Sequence, residues 1–193
     1  MPKFFCVLVL LIANIGFSQV YEIGISHNQG SLVGEKYNAF PINATGGNWG
    51  IIVKKNMNPR IAYRLAANSL ENKDTKLTEL SGGIDFNFTE YNPIRLASPD
   101  KGSAYLIFEL TTLFYDTDEK SLFSMALPLG VGYKKILAKH VVCSLETKGR
   151  ISFTDDLDNI STNKSTLDAY YYIGASIYYT FGWPRGSKNQ IRF

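Results

Sequence analysis

Two histidines, His27 and His140, an acidic run at Asp155, Asp156 and Asp158, and the hydroxyls of Ser152 and Thr154 are the side chains whose types could serve catalysis or metal binding. Closely spaced aspartates can supply the oxygen ligands that calcium takes. Their spacing is not that of a calcium-binding loop, however, and Asp/Asn-rich segments more commonly shape turns. Ser152 and Thr154 lack the His and Asp companions of a nucleophile triad. His27 could act as a general base beside an acid, which would suit a membrane-embedded hydrolase, but no nucleophile motif accompanies it. His27 and His140 fall at opposite ends of the strand layout developed below, so they cannot share a site. The pattern predicts a protein that is not an enzyme and that needs no metal or cofactor.

A second set of charges has more order. Arg64, Glu79, Asp85, Glu109, Glu146, Lys148 and Arg150 all fall within alternating segments, on the polar parity, with mixed signs. In a narrow interior such charges would compensate one another as a network.

The elements that would position them are strands. Period-two alternation, with abundant Tyr, Phe, Thr, Ile and Gly, marks eight segments at about residues 20–27, 48–55, 60–70, 77–88, 103–115, 122–135, 141–153 and 169–181. A tilted strand crosses the apolar layer of a membrane in ~9–11 residues. An even strand count puts both chain ends on one side, as bacterial barrels require. The chain therefore reads as all-β: an eight-stranded antiparallel up-and-down transmembrane β-barrel over residues 19–181. Alternation alone leaves open a soluble barrel with the opposite polarity; the mid-strand charges favour the membrane form. Eight strands enclose only enough room for side chains, which argues against a channel.

Residues 1–18 have the layout of a secretory signal peptide: a basic start at Lys3, an apolar run over 4–15, and Gly16-Phe17-Ser18 as the cleavage site. The expected destination is a bacterial outer membrane, with lipid against the outer wall. Cleavage would remove Cys6 and leave Cys143 alone, so no internal disulfide is expected. The net charge of +3 is spread without a basic cluster, which excludes a nucleic-acid footprint. The link over 89–102 is too long for an ordinary periplasmic turn, and a basic tail occupies 182–193. Tyr91, Arg95, Trp183, Arg185 and Lys188 mix aromatic and cationic types there, as protein-contact surfaces do.

Several segments, in order, resemble the PorG-like small outer-membrane barrels of the type IX secretion system. They are Tyr21-Glu22-Ile23-Gly24, Ser31-Leu32-Val33-Gly34-Glu35, the stretch from Leu80 to Phe88, the stretch from Leu127 to Lys134, Phe153-Thr154-Asp155-Asp156-Leu157-Asp158, and Tyr178-Tyr179-Thr180-Phe181-Gly182. The resemblance spans nearly the whole mature chain. It implies an eight-stranded barrel that works beside secretion and gliding-motility machinery, docking a periplasmic ring of proteins, with its outer wall meeting lipid or another membrane subunit. The link over 116–121 is abbreviated relative to that family. The alternative is a small structural or surface-binding outer-membrane barrel without a secretion role, acting through the long links at 28–47 and 155–168.

Overall fold

The computed structural model describes residues 20–33, 47–72, 75–91, 102–116, 121–152 and 169–182. The eight strands are β1 (Val20–Val33), β2 (Gly47–Asn56), β3 (Ile61–Asn72), β4 (Thr75–Asn87), β5 (Gly102–Asp116), β6 (Ser121–Ala138), β7 (Val141–Ser152) and β8 (Ala169–Gly182). Each pairs antiparallel with its sequence neighbours, and β8 returns to β1, closing the barrel. Closure leaves no open sheet edge toward lipid, the condition for strands to lie in hydrocarbon.

The polarity is inverted relative to a water-soluble barrel. Ile25, Ile51, Leu65, Leu129, Leu145 and Ile177 stand on the outer wall and are each about half or more exposed, while Lys54, Arg64, Asp85, Lys134 and Arg150 are almost wholly buried in the lumen. Burying charge while exposing isoleucine and leucine is unfavourable in water and favourable when the outer solvent is hydrocarbon. Aromatic residues cluster on the outer wall toward the chain ends, including Tyr21 stacked on Phe181 at 5.7 Å between ring centroids, and Phe86 edge-on to Phe88 at 6.2 Å. Toward the opposite end Phe114 meets Phe123 at 5.6 Å. These two belts suit the two membrane interfaces.

Val20 pairs with both Asn56 and Gly182, so the chain ends and the β2–β3 turn share one rim. The β6–β7 turn and residues 88–91, which follow β4, lie on that rim too. By the topology of bacterial barrels it faces the periplasm.

Three features depart from the pattern expected from sequence. First, β1 does not stop near His27 but continues to Val33, because Gln29 to Val33 pair with Ala169 to Ile173 of β8. His27 therefore lies within the wall rather than at its outer end. Second, β6 continues through Ile136 to Ala138, where a short connection was expected; only Lys139 and His140 form the turn. A register shift at Ile136/Ala138 accommodates it, and His140 takes the left-handed backbone (φ 65°) usual for such bulged hairpins. Third, Pro128 interrupts the β5–β6 ladder: pairing stops at Phe108↔Leu129 and resumes at Thr111↔Ala126 in the same register. Proline has no N–H to donate there.

Candidate functional site

The lumen holds five cations and five anions among the described residues: Lys54, Arg64, Lys134, Lys148 and Arg150 with Glu22, Glu79, Asp85, Glu109 and Glu146. Each comes from an inward-facing strand position. The period of two delivers them there, and Gly83, Gly130 and Gly132 make room by presenting no side chain against Glu109, Lys148 and Tyr105.

Glu146 on β7 is the hub. Arg64, on β3 across the lumen, donates to both its oxygens at 2.9 and 2.6 Å. Tyr105 and Tyr178 donate their hydroxyls to its Oε1 at 2.6 and 3.2 Å. Arg64 Nε also meets Glu109 at 2.6 Å, and Glu109 in turn accepts Lys148 Nζ on both oxygens at 2.9 Å. Lys54 pairs with Asp85 at 2.7 Å and lies against the rings of Tyr105 and Tyr178. Toward the outer end Arg150 joins Glu79 and donates to the Tyr172 hydroxyl at 2.7 Å. Of the charges expected inside, Arg64, Glu109, Glu146 and Lys148 form one linked lumenal group, and Arg150 with Glu79 forms a separate lumenal pair. Glu22, Lys54 and Lys134 lie on the same parity but were not singled out from the sequence; their alternation with Ile23, Val53 and Tyr133 was the available signal.

The periplasmic mouth is closed by a residue from outside the strands. Tyr91, four residues beyond β4, turns inward and is only 4 % exposed. Its backbone N–H donates to the Pro59 carbonyl at 3.1 Å, which pins the start of the β4–β5 link across the β2–β3 turn. Its ring lies 3.9 Å from Lys134 Nζ, and Tyr105 flanks the same ammonium at 5.0 Å. Lys134 is thus held by aromatic faces rather than by a carboxylate within ion-pair distance, a cation–π arrangement that gains strength with desolvation. Burial, with Glu22 beside it, holds the Tyr91 hydroxyl well above its ordinary pKa. This corrects the expectation that Tyr91 offers a protein-contact surface: the barrel floor consumes its ring. Arg95, Trp183, Arg185 and Lys188, the signal sequence and the Asp155–Asp158 run lie outside the described residues.

Neither histidine belongs to the lumenal network. His27 packs against Trp49 on the outer wall, with ring centroids 4.6 Å apart and the rings tilted by 47°, away from the lumenal acids. His140 lies on the periplasmic rim with Nδ1 donating to the Thr180 carbonyl at 2.8 Å. Among the described residues no grouping of histidine, cysteine and carboxylates is arranged to hold a metal ion. The carboxylates of the central network already face guanidinium or ammonium groups.

The sequence matches the family described as Domain of unknown function (DUF6089) over residues 66–184, which runs from β3 through β8. The chain belongs to the DUF6089 family. No curated protein sequence matches this DUF6089 member. Solved structures do resemble it. Neisserial surface protein A is 13% identical with a TM-score of 0.57, covering 84% of this chain and 97% of that one. Ail of Yersinia pestis, in complex with the heparin analogue sucrose octasulfate, is 11% identical with a TM-score of 0.52, covering 85% and 99%. The N-terminal β-barrel domain of Pseudomonas aeruginosa OprF is 10% identical with a TM-score of 0.51, covering 83% and 97%. At such identities what is shared is the fold: this DUF6089 protein is an eight-stranded barrel of the outer-membrane type.

Proposed function

We propose that this protein is a non-enzymatic outer-membrane barrel that anchors or organises a protein-secretion complex, of the type IX and gliding-associated class, through its periplasmic end. The sealed lumen carries the first half of this reading. A barrel filled by a charge network and floored by Tyr91 offers neither a passage nor an enclosed reaction site, so it acts through its ends and its outer wall. The second half rests on the ordered PorG-like segments, four of which fall on strands of the barrel: Tyr21 to Gly24, Leu80 to Phe88, Leu127 to Lys134 and Tyr178 to Gly182. The basic tail and the remainder of the β4–β5 link would supply the contacts to a periplasmic ring. Affinity capture of the tagged protein from detergent extract should recover ring components, and deletion of the gene should impair secretion. Capture without any ring component, combined with normal secretion in the deletion strain, would refute the proposal.

A second reading is favoured by strand length. β1 and β8 have 14 residues, β5 has 15 and β6 has 18, well beyond the ~9–11 that cross the apolar layer. β1 and β8 pair out to Val33↔Ala169, a wall long enough to carry a rim beyond the lipid on the outer side. Such a rim would suit a surface-binding barrel. Loss of adhesion with intact secretion in the deletion strain would select this reading over the first.

A further inference from the structure

The outer wall is not uniformly smooth. Where β7, β8, β1 and β2 adjoin, an apolar groove of about 420 Å³ is lined by Ile23, Ile25, Ile51, Val141, Ile177 and Tyr179, among others. The registers place these residues on two neighbouring rungs: Ile51, Ile25 and Ile177 on one, and Ile23, Tyr179 and Val141 on the next toward the periplasmic rim. The groove thus descends across four strands toward the periplasmic rim.

At its lower end stands the β6–β7 turn, which concentrates positive charge. Lys135 and Lys139 are exposed, and His140 follows at once. The His140 ring lies 5.7 Å from the ring of Tyr179, a residue of the groove itself, and Val141 of the groove is the next residue in the chain. His140 Nδ1 is committed to the Thr180 carbonyl at 2.8 Å, while its own carbonyl accepts the Thr180 N–H at 2.9 Å. The ring is therefore fixed in place with Nε2 as its second polar atom. The backbone here is left-handed, where glycine would be less strained. Among the described outward-facing positions of β6, β7, β8 and β1 there is no acidic residue to neutralise these cations. Lys135 also stands on the outward-facing parity, two residues beyond Tyr133 toward the periplasmic rim, and its long side chain can extend toward a headgroup.

We propose that the groove and this turn together form a site for one anionic phospholipid of the inner leaflet, with an acyl chain in the groove and the headgroup phosphate held by Lys135, Lys139 and His140. An apolar slot that ends beside a cationic turn on the periplasmic rim matches the two-part chemistry of that ligand, a fatty chain and a phosphate. The site is independent of the secretion reading, since it uses the outer wall rather than the lumen or tail.

Native mass spectrometry of the mature, full-length protein in detergent, titrated with phosphatidylglycerol, tests it. One phosphatidylglycerol should be retained in preference to phosphatidylcholine, and K135Q/K139Q/H140Q should weaken retention by at least about tenfold. Val141→Trp, which fills the groove, should weaken it without touching a charge. Heat-shifted gel mobility verifies that each variant is folded, so a folding failure cannot pass for lost binding. Equal retention by the charge variant, equal retention of phosphatidylcholine, or full competition by glycerophosphoglycerol without acyl chains would overturn the proposal. So would loss of an acidic partner protein from the charge variant while its lipid retention stayed intact.

Discussion

Replacing Arg64 by methionine should be among the most damaging single changes in the lumen. The substitution keeps most of the side chain's volume and deletes its charge. It strips Glu146 of a two-pronged partner at 2.9 and 2.6 Å and Glu109 of a contact at 2.6 Å, and leaves the lumen with an unbalanced negative charge. Breaking a buried pair by removing one partner costs about 3–5 kcal/mol, because the orphaned charge remains desolvated. Glu146→Gln should cost a comparable amount for the mirror-image reason, leaving Arg64 only its Glu109 and Asp85 contacts. The double variant carries the argument. With Arg64 and Glu146 both neutral, Lys54 still has Asp85 at 2.7 Å and Lys148 still has Glu109 at 2.9 Å, so every charge left in the centre of the lumen has a partner. The double variant should therefore lose much less than the sum of the singles, with a coupling of about 2–3 kcal/mol. Equilibrium urea unfolding in phospholipid vesicles, followed by tryptophan fluorescence, measures all four proteins; Trp49 on the outer wall is well placed to report lipid contact. Single variants that each cost less than about 1 kcal/mol, or a strictly additive double variant, would show that the lumen is hydrated well enough to screen these charges and would refute the network account.

Other consequences can be checked in the same unfolding assay. Leu129→Arg, midway along β6 and 48 % exposed, should cost about 2–4 kcal/mol because its surroundings are hydrocarbon; a neutral effect would mean that this wall faces water. Gly83→Ala should be destabilising by about 1–3 kcal/mol, since a methyl there collides with the Phe108 carbonyl, whereas Gly149→Ala, with nothing near its added methyl, should be close to neutral. The raised pKa of Tyr91 means that its neutral hydroxyl is favoured in the folded state over the unfolded value near 10.0. That stability is fully present below pH 10 and is lost as pH rises toward the folded pKa. Tyr91→Phe should make the alkaline decline in stability shallower than in the wild type; identical slopes would remove Tyr91 from the floor.

The barrel was legible in the sequence because side-chain direction in a strand has a period of two, and a closed sheet holds that period over eight consecutive elements. Parity alone placed Arg64, Glu109, Glu146 and Lys148 on one face. It could not say which face was inside; the mid-strand charges tipped that choice, and the exposed leucines and isoleucines of the wall resolve it. The ends of elements were less legible. Asn28, Gln29, Gly30 and Ser31 have the composition of a turn, and β1 includes them only because β8 supplies partners across the closing seam, a contact between the two extremes of the chain. Tyr91 was beyond reach for a related reason. It lies in a non-periodic link, and its inward turn depends on Pro59 and Lys134, which are distant in sequence.

The network also constrains the order in which the molecule can be assembled. Its main pairs join non-adjacent strands: Arg64 and Glu146 lie 82 residues apart, Arg150 and Glu79 lie 71 apart, and Lys148 and Glu109 lie 39 apart. All three bonds involve β7. A strand or hairpin entering the bilayer by itself would carry naked ammonium, guanidinium and carboxylate groups into oil, with their counterparts still in water. Lys54 with Asp85 and Arg64 with Glu109 can pair among β2 to β5, but the chain must gather β7 before or while it enters for Glu79 to meet Arg150 and for Arg64 to meet Glu146.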